Sequence, residues 1–338
     1  MEKIFIIAEA GVNHNGKIDL AYKLVDAAKE AGVDAVKFQV FKPEKVISKS
    51  TKMADYQKEN LKENISQLDM VKKLELSYQD FIKINEYCKE KEIMFMATPF
   101  DDDSLDFLVD VLKADVLKIG SGDLNNYPFL EKVALKNKKI ILSTGMSKLS
   151  DIEEALEFIS KYTDKEIKVL HCTTNYPCPM EEVNLKAMNT IKNAFQVGVG
   201  YSDHTLGIEV PIAAAALGAE IIEKHFTLDK TMEGPDHVAS LEPNELKEMT
   251  IAIRNIEKAL GDGIKKPNES EVKIQNIVKR KIVLAKNIKT DHILSEGDLE
   301  YKRCEKGIES KYYRHVIGKK VKRDIDEDSP LMWEDIIQ

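Results

Sequence analysis

Eight short, nearly continuous apolar runs, each followed by an amphipathic stretch, occupy most of this 338-residue chain. The runs are Ile4–Glu9, Ala35–Val40, Ile93–Thr98, Val116–Gly120, Ile140–Ser143, Val169–Cys172, Gly198–Gly200 and Glu220–Lys224. Strands this uniformly apolar are buried on both faces, which implies parallel strands covered by helices. Eight such units in about 260 residues predict a (β/α)8 TIM barrel. An open doubly wound sheet is the rival, but no G-x-G-x-x-G follows the first run. Between runs, Ser150 and Glu153 read as a capping box opening a helix through Phe158. Leu246, Met249, Ile253, Ile256 and Leu260 recur at helical spacing, and Gly261 ends that helix.

The rhythm stops near Gly261. We read residues 1–262 as the barrel, 263–278 as a polar linker, and 279–338 as a small β-rich module with strand-like pieces KIVLAKNIK, DLEYKR and HVIGKKVKRDI. About 60 residues is a marginal size alone, so the module is expected to dock on a barrel or on a second chain. No stretch approaches the ~20 apolar residues of a membrane span. The opening MEKIFIIAEAG lacks a basic n-region and reads as a buried strand, not a signal peptide. Cys88, Cys172, Cys178 and Cys304 are scattered, as suits reduced thiols in a cytoplasm. A net charge of −8 argues against nucleic acid. An anionic substrate would therefore need positive charge focused at one place.

Barrel active sites lie at the C-terminal ends of the strands. There the sequence offers Glu9, Lys37, Gln39, Thr98, Lys118, Ser121, Ser143, Thr174, Tyr176, Ser202, His204 and His225. Lys37 and Lys118 interrupt apolar runs (DAVKFQ, DVLKIGSG), and lysine is rarely buried without a partner. Either alone is as readily a lysine snorkelling from a strand end. Together, with hydroxyls at neighbouring ends, they suit an anion bearing phosphate and carboxylate. His204 and His225 follow successive strands and could share a divalent ion with open positions. Such histidines are more often structural, and His14, His171 and His237 are further candidates. Asp236 lies in a loop and reads equally as a turn residue. Cys172 and Cys178 lack a His/Asp partner pattern and read as packing residues.

The strings AEAGVNHNG, VKFQ, ATPFD, KIGSGDLNN, LSTGM, HCTTNYPCP, GYSDHT, EKHFTLDK and GPDHVAS, in that order, resemble the sialic acid synthase family over the whole chain. The tail is similar to that family's antifreeze-like (SAF) domain. The resemblance implies condensation of phosphoenolpyruvate with an N-acetylated mannose-type sugar. N-acetylmannosamine would give N-acetylneuraminate, and 2,4-diacetamido-2,4,6-trideoxymannose would give N,N'-diacetyllegionaminate. HCTTNYP and GYSDHTLGI look closer to the legionaminate enzymes. The resemblance assigns phosphoenolpyruvate to Lys37, Thr98, Lys118, Ser121, Ser143, Thr174, Tyr176 and Ser202. It assigns a divalent metal, Mn2+ with Mg2+ or Co2+ as substitutes, to His204 and His225. It assigns the sugar to Glu9, Gln57, Tyr176 and Asp236, and places Asp123 near the attacking water. Glu9 or Asp123 would handle the proton, and Arg303 would reach the sugar's acetyl group in a partner's site, implying a domain-swapped homodimer. Two departures stand out. The family's KRPG is here Lys302-Arg303-Cys304-Glu305, and Asp123 replaces a common glutamate. The competing expectations are another metal-dependent barrel lyase, such as a pyruvate aldolase, and a non-catalytic sugar- or ice-binding protein. The heavily charged tail disfavours ice binding.

Overall fold

A computed structural model describes residues 3–51 and 66–337. The chain divides into two compact units, Met1–Gly261 and Asp262–Gln338.

The first unit is a (β/α)8 TIM barrel. Its strands are β1 (Phe5–Gly11), β2 (Ala35–Val40), β3 (Met94–Pro99), β4 (Val116–Ile119), β5 (Lys139–Ser143), β6 (Ile167–His171), β7 (Gly198–Asp203) and β8 (Ile221–His225). They form one parallel sheet in the order β3-β2-β1-β8-β7-β6-β5-β4, and β3 and β4 meet at the seam. Helices cover the outside. Helix Ile18–Ala31 buries Ala21, Leu24, Val25, Ala28 and Ala31, a stripe at three- and four-residue spacing, and ends at Gly32 with φ +76°. Helix Tyr78–Glu90 opens with a reciprocal cap. Ser77 Oγ accepts from Asp80 N–H, and Asp80 accepts from Ser77 N–H. The cap expected at Ser150 lies elsewhere: helix Leu149–Ile159 starts earlier, and Asp151 accepts from Lys148 N–H at 2.8 Å. An aspartate two residues nearer the start reaches the free N–H groups that Glu153 does not.

Strand alternation sets two layers inside the barrel. Ile7, Ala35, Met96, Ile141, Leu170 and Ile221 form an apolar plug. Two residues further along the same strands stand Glu9, Lys37, Thr98, Ser143, Cys172 and Glu223, and all six are buried. The site is thus the next storey above the plug.

In the second unit β9 (Arg280–Leu284) pairs antiparallel with β10 (Leu299–Arg303). Ile282, Leu284, Leu294, Val316, Val321 and Leu331 fill its core. The segment read as linker contains a helix, Glu269–Val278, with no buried residue. Among the described residues no helix is long and apolar enough to cross a membrane.

Asp298 pins this small core. Its buried carboxylate accepts at Oδ2 from His292 Nε2 at 2.9 Å and from Ser295 N–H and Oγ at 2.8 Å, and Lys286 Nζ forms an ion pair 2.7 Å from Oδ1. Burial opposes ionisation, but these donors outweigh it and hold the carboxyl below its usual range. Asp298→Ala is expected to destabilise the unit by about 3 kcal/mol in denaturant titration, because buried donors lose their acceptor. A depressed folded-state pKa stabilises above the unfolded value of about 4 and is lost as pH falls below it. The wild-type advantage should therefore shrink below pH ~4.

Candidate active site

Register brings the polar layer together. Glu9 aligns with Lys37 on β2 and His225 on β8, Gln39 with Thr98, and Ser202 with Glu223. A register shift between Glu9 and Gly11, with Gly11 at φ +53°, ends the regular pairing just above Glu9.

Four ionisable groups share this layer, and all are nearly inaccessible to solvent. Lys37 Nζ lies 2.6 Å from Glu9 Oε2, 3.1 Å from Thr98 Oγ1 and 3.6 Å from Glu223 Oε2. Lys118 Nζ lies 3.1 Å from Glu223 Oε1, which also accepts from Ser202 Oγ at 2.9 Å. Gln39 donates to Glu9 Oε1 at 3.0 Å. Two lysines and two glutamates balance, but not evenly. Burial raises the Glu9 carboxyl above its ordinary pKa despite Lys37. At Glu223 burial is outweighed by Lys118 and Lys37, which hold it ionised. At Lys37 burial is outweighed by the two carboxylates, so its pKa rises. Lys118 has one close carboxylate and a neighbouring lysine, and burial pulls its pKa down.

These groups line a chamber of about 170 Å³ with Ser121, Ser143, Thr174, Tyr176, Ser202 and both histidines. Ser143 Oγ is buried and finds no hydrogen-bond partner among the described residues. Gly145 donates its N–H to Ser121 Oγ at 2.9 Å. A Cβ on Gly145 would come within 2.0 Å of Thr174 Oγ1, so any side chain there would displace that hydroxyl from its place in the chamber lining.

The imidazoles of His204 and His225 are 5.4 Å apart between ring centroids, and the Tyr176 ring packs on both. His204 Nδ1 lies 2.6 Å from Thr173 O, so it is the donor and Nε2 keeps its lone pair. Burial lowers the His204 pKa to about 4 and that of His225 well below its usual value. Both rings are therefore neutral. His225 Nδ1 is buried and unpartnered among the described residues, with Asp236 Oδ2 3.9 Å away. Two neutral imidazoles with lone pairs to spare fit a divalent cation. No group of three or more His, Cys, Asp or Glu side chains converges on one point among the described residues. A cation here would have two protein ligands and positions open to substrate. The other histidine candidates are engaged elsewhere: His171 Nε2 with Val183 O, and His237 with Thr227 and Asn15. His14 is buried and does not line the chamber.

A second cavity of about 430 Å³ shares Gln39, Thr174, Tyr176 and His225 with the chamber. Asp236 lines it, with Val12, Phe41 and Leu74 as an apolar wall. Burial, with Glu9 nearby, pushes the Asp236 carboxyl up to about 7. Asp123 lies outside the chamber lining, on the turn after β4, where Oδ1 accepts from Asn126. Gln57 lies outside the described residues. Arg303 ends β10 of the second unit and is exposed.

The model of the NeuB family matches residues 24–265, and that of the SAF domain matches 279–337. The chain belongs to the NeuB family. The N,N'-diacetyllegionaminic acid synthase of Campylobacter jejuni is 52% identical over 330 residues, covering 97% of this chain and 98% of the relative. The enzyme of the same name from Legionella pneumophila is 44% identical over 336 residues, covering 98% and 94%. The crystal structure of the sialic acid synthetase from Leptospira borgpetersenii, in complex with citrate, superposes with a TM-score of 0.72 at 37% identity, covering 82% of this chain and 93% of that one.

Within this NeuB-family site, Glu223 escaped the sequence reading. It stands two residues before His225, so both point into the barrel. Alternation counted backwards from His225 would have found it. Glu223→Gln should cost about 3 kcal/mol by leaving Lys118 without a buried counter-charge. Added phosphate should then raise the variant's melting temperature more than the wild type's, since an anion replaces the missing charge. Equal shifts would show that the layer does not act as one charge-balanced compartment.

Proposed function

We propose that this synthase joins phosphoenolpyruvate to 2,4-diacetamido-2,4,6-trideoxymannose, giving N,N'-diacetyllegionaminate and phosphate. It is a phosphoenolpyruvate-dependent synthase of sialic-acid type. The choice of sugar rests on the relatives named above. The observation that carries the chemistry is the pair of neutral imidazoles at the rim of a chamber holding Lys37 and Lys118.

Phosphoenolpyruvate would occupy the smaller chamber. Lys37 and Lys118 meet its phosphate and carboxylate, with hydroxyls of Thr98, Ser121, Ser143, Thr174 and Ser202 as further donors. The unpartnered Ser143 Oγ is one such donor awaiting an acceptor. The sugar would lie in the larger cavity beside Asp236 and Tyr176, its aldehyde toward His225. His204 and His225 would hold a divalent cation, Mn2+ by family resemblance, whose Lewis acidity polarises an aldehyde oxygen. Carbon 3 of phosphoenolpyruvate attacks the aldehyde, water adds to the cationic carbon 2, and phosphate leaves with C–O cleavage. The lysines stabilise the anionic groups in a site that excludes bulk water. Glu9, with its raised pKa and its place in the chamber lining, suits transfer of the proton. Asp123 is the alternative water-positioning group.

The four cysteines are unpaired among the described residues, which suits a cytoplasmic enzyme. Arg303 is proposed to serve the acetyl group in a partner subunit's site within a domain-swapped homodimer.

The deciding assay is phosphate release from phosphoenolpyruvate with each sugar. The highest kcat/KM is expected with the diacetamido sugar. Pyruvate turnover without phosphate would mark an aldolase instead and overturn the proposal. His204→Ala and His225→Ala should each lower activity by orders of magnitude and weaken Mn2+ binding, measured by calorimetry. Arg303→Ala should raise the KM for sugar and leave that for phosphoenolpyruvate unchanged. Mixing Arg303→Ala with a barrel-site variant should restore activity after subunit exchange.

A further inference from the structure

Residues 203 and 224 are neighbours in register on β7 and β8, and each precedes one of the two chamber histidines. Ser202, His204, Glu223 and His225 line the chamber, whereas Asp203 and Lys224 do not. Both side chains are fully buried and lie 2.5 Å apart. The Lys224 ammonium also donates to Thr205 O at 2.5 Å. Asp203 in turn accepts from Thr205, Oδ1 taking the backbone N–H at 3.1 Å and the hydroxyl at 3.0 Å. The 203–205 turn is thus wrapped around one ammonium that stands on the adjacent strand. His204 sits at the centre of that turn, and His225 is the residue after the ammonium. From the other side, Cys178 N–H donates to His204 O at 2.8 Å, and Thr173 O holds His204 Nδ1.

A buried ion pair is a weak way to gain stability, because desolvation offsets most of its attraction. What it supplies is directionality. Its hydrogen bonds tie the end of β7 to the end of β8 at the level where the two rings leave the backbone. We propose that Lys224, Asp203 and Thr205 form a clamp that presets the His204 and His225 imidazoles for a single divalent cation. The proposal rests on the reading of those histidines as the cation's ligands. Partners behind metal ligands typically change affinity by roughly 10–100-fold, through orientation of the ligands.

The test uses the full chain stripped of metal, with Mn2+ and phosphoenolpyruvate binding each measured by calorimetry. Lys224→Met combined with Asp203→Asn removes both buried charges while keeping their approximate shape. Mn2+ Kd is expected to rise at least tenfold, and phosphoenolpyruvate Kd, measured without metal, to stay within about twofold, because both lysines and all the proposed hydroxyl donors except Ser202 stand on or just after other strands. Thr205→Val, which removes only the hydroxyl donor, should raise the Mn2+ Kd severalfold and covers the case in which the double variant does not fold. Mn2+ Kd unchanged in the folded variants would overturn the clamp, as would equal losses for both ligands, which mark a general structural role. His204→Ala separates the two claims. If it too leaves Mn2+ affinity unchanged, the ligand assignment itself has failed.

Discussion

The contact on which the site depends is the Lys37–Glu9 pair at 2.6 Å, extended through Glu223 to Lys118. Moving one charge out of water costs several kcal/mol, so a lone lysine at either position would not remain ionised there. Two of each sign, hydrogen-bonded to Thr98, Gln39 and Ser202, make the layer neutral in sum and still strongly polar locally. The pKa values diverge accordingly. Glu223 is held as an anion, Glu9 is eased toward its acid form, and Lys118 is the less firmly charged lysine. An entering anion would meet charges whose balance it can tip at Glu9, because that carboxyl binds a proton more readily than Glu223.

The barrel supplies this arrangement through alternation. An apolar plug of Ile7, Ala35, Met96, Ile141, Leu170 and Ile221 seals the interior. One pleat higher the same strands turn polar, and the charges sit on a dry floor. The outward positions between those inward ones are not idle. On β7 and β8 they carry Asp203 and Lys224, so the same strand ends that present imidazoles inward are tied together behind.

Much of this was legible because it violates ordinary patterning. Lysines inside DAVKFQ and DVLKIGSG are conspicuous, since nothing about a buried strand calls for them. Eight apolar runs at barrel spacing gave the architecture from the same physics. Glu223 and Lys224 were hidden in EKHFTLD because a charged pair at a strand edge looks like solvated surface. Alternation from His225 turns Glu223 inward, but only the three-dimensional register shows Lys224 facing Asp203. Helix Glu269–Val278 lies in a polar stretch that reads as linker; its apolar residues Val272, Ile274, Ile277 and Val278 stay exposed, and none of its residues is buried. Asp298 in the second unit gives only a partial signal. Ser295-x-x-Asp298 is a capping box that the sequence carries, but the convergence of Lys286 and His292 on the same carboxylate is not announced by any local pattern.

With the cation proposed at the two imidazoles and the phosphate at the two lysines, the two would face each other in one compartment. Pulsed electron–nuclear double resonance on the full chain with Mn2+ and phosphoenolpyruvate reads that proximity directly. A resolved hyperfine coupling between Mn2+ and the substrate's phosphorus, absent in Lys118→Met, is the predicted result. Mn2+ and phosphoenolpyruvate both bound, with no phosphorus coupling, would place them in separate sites and contradict the account.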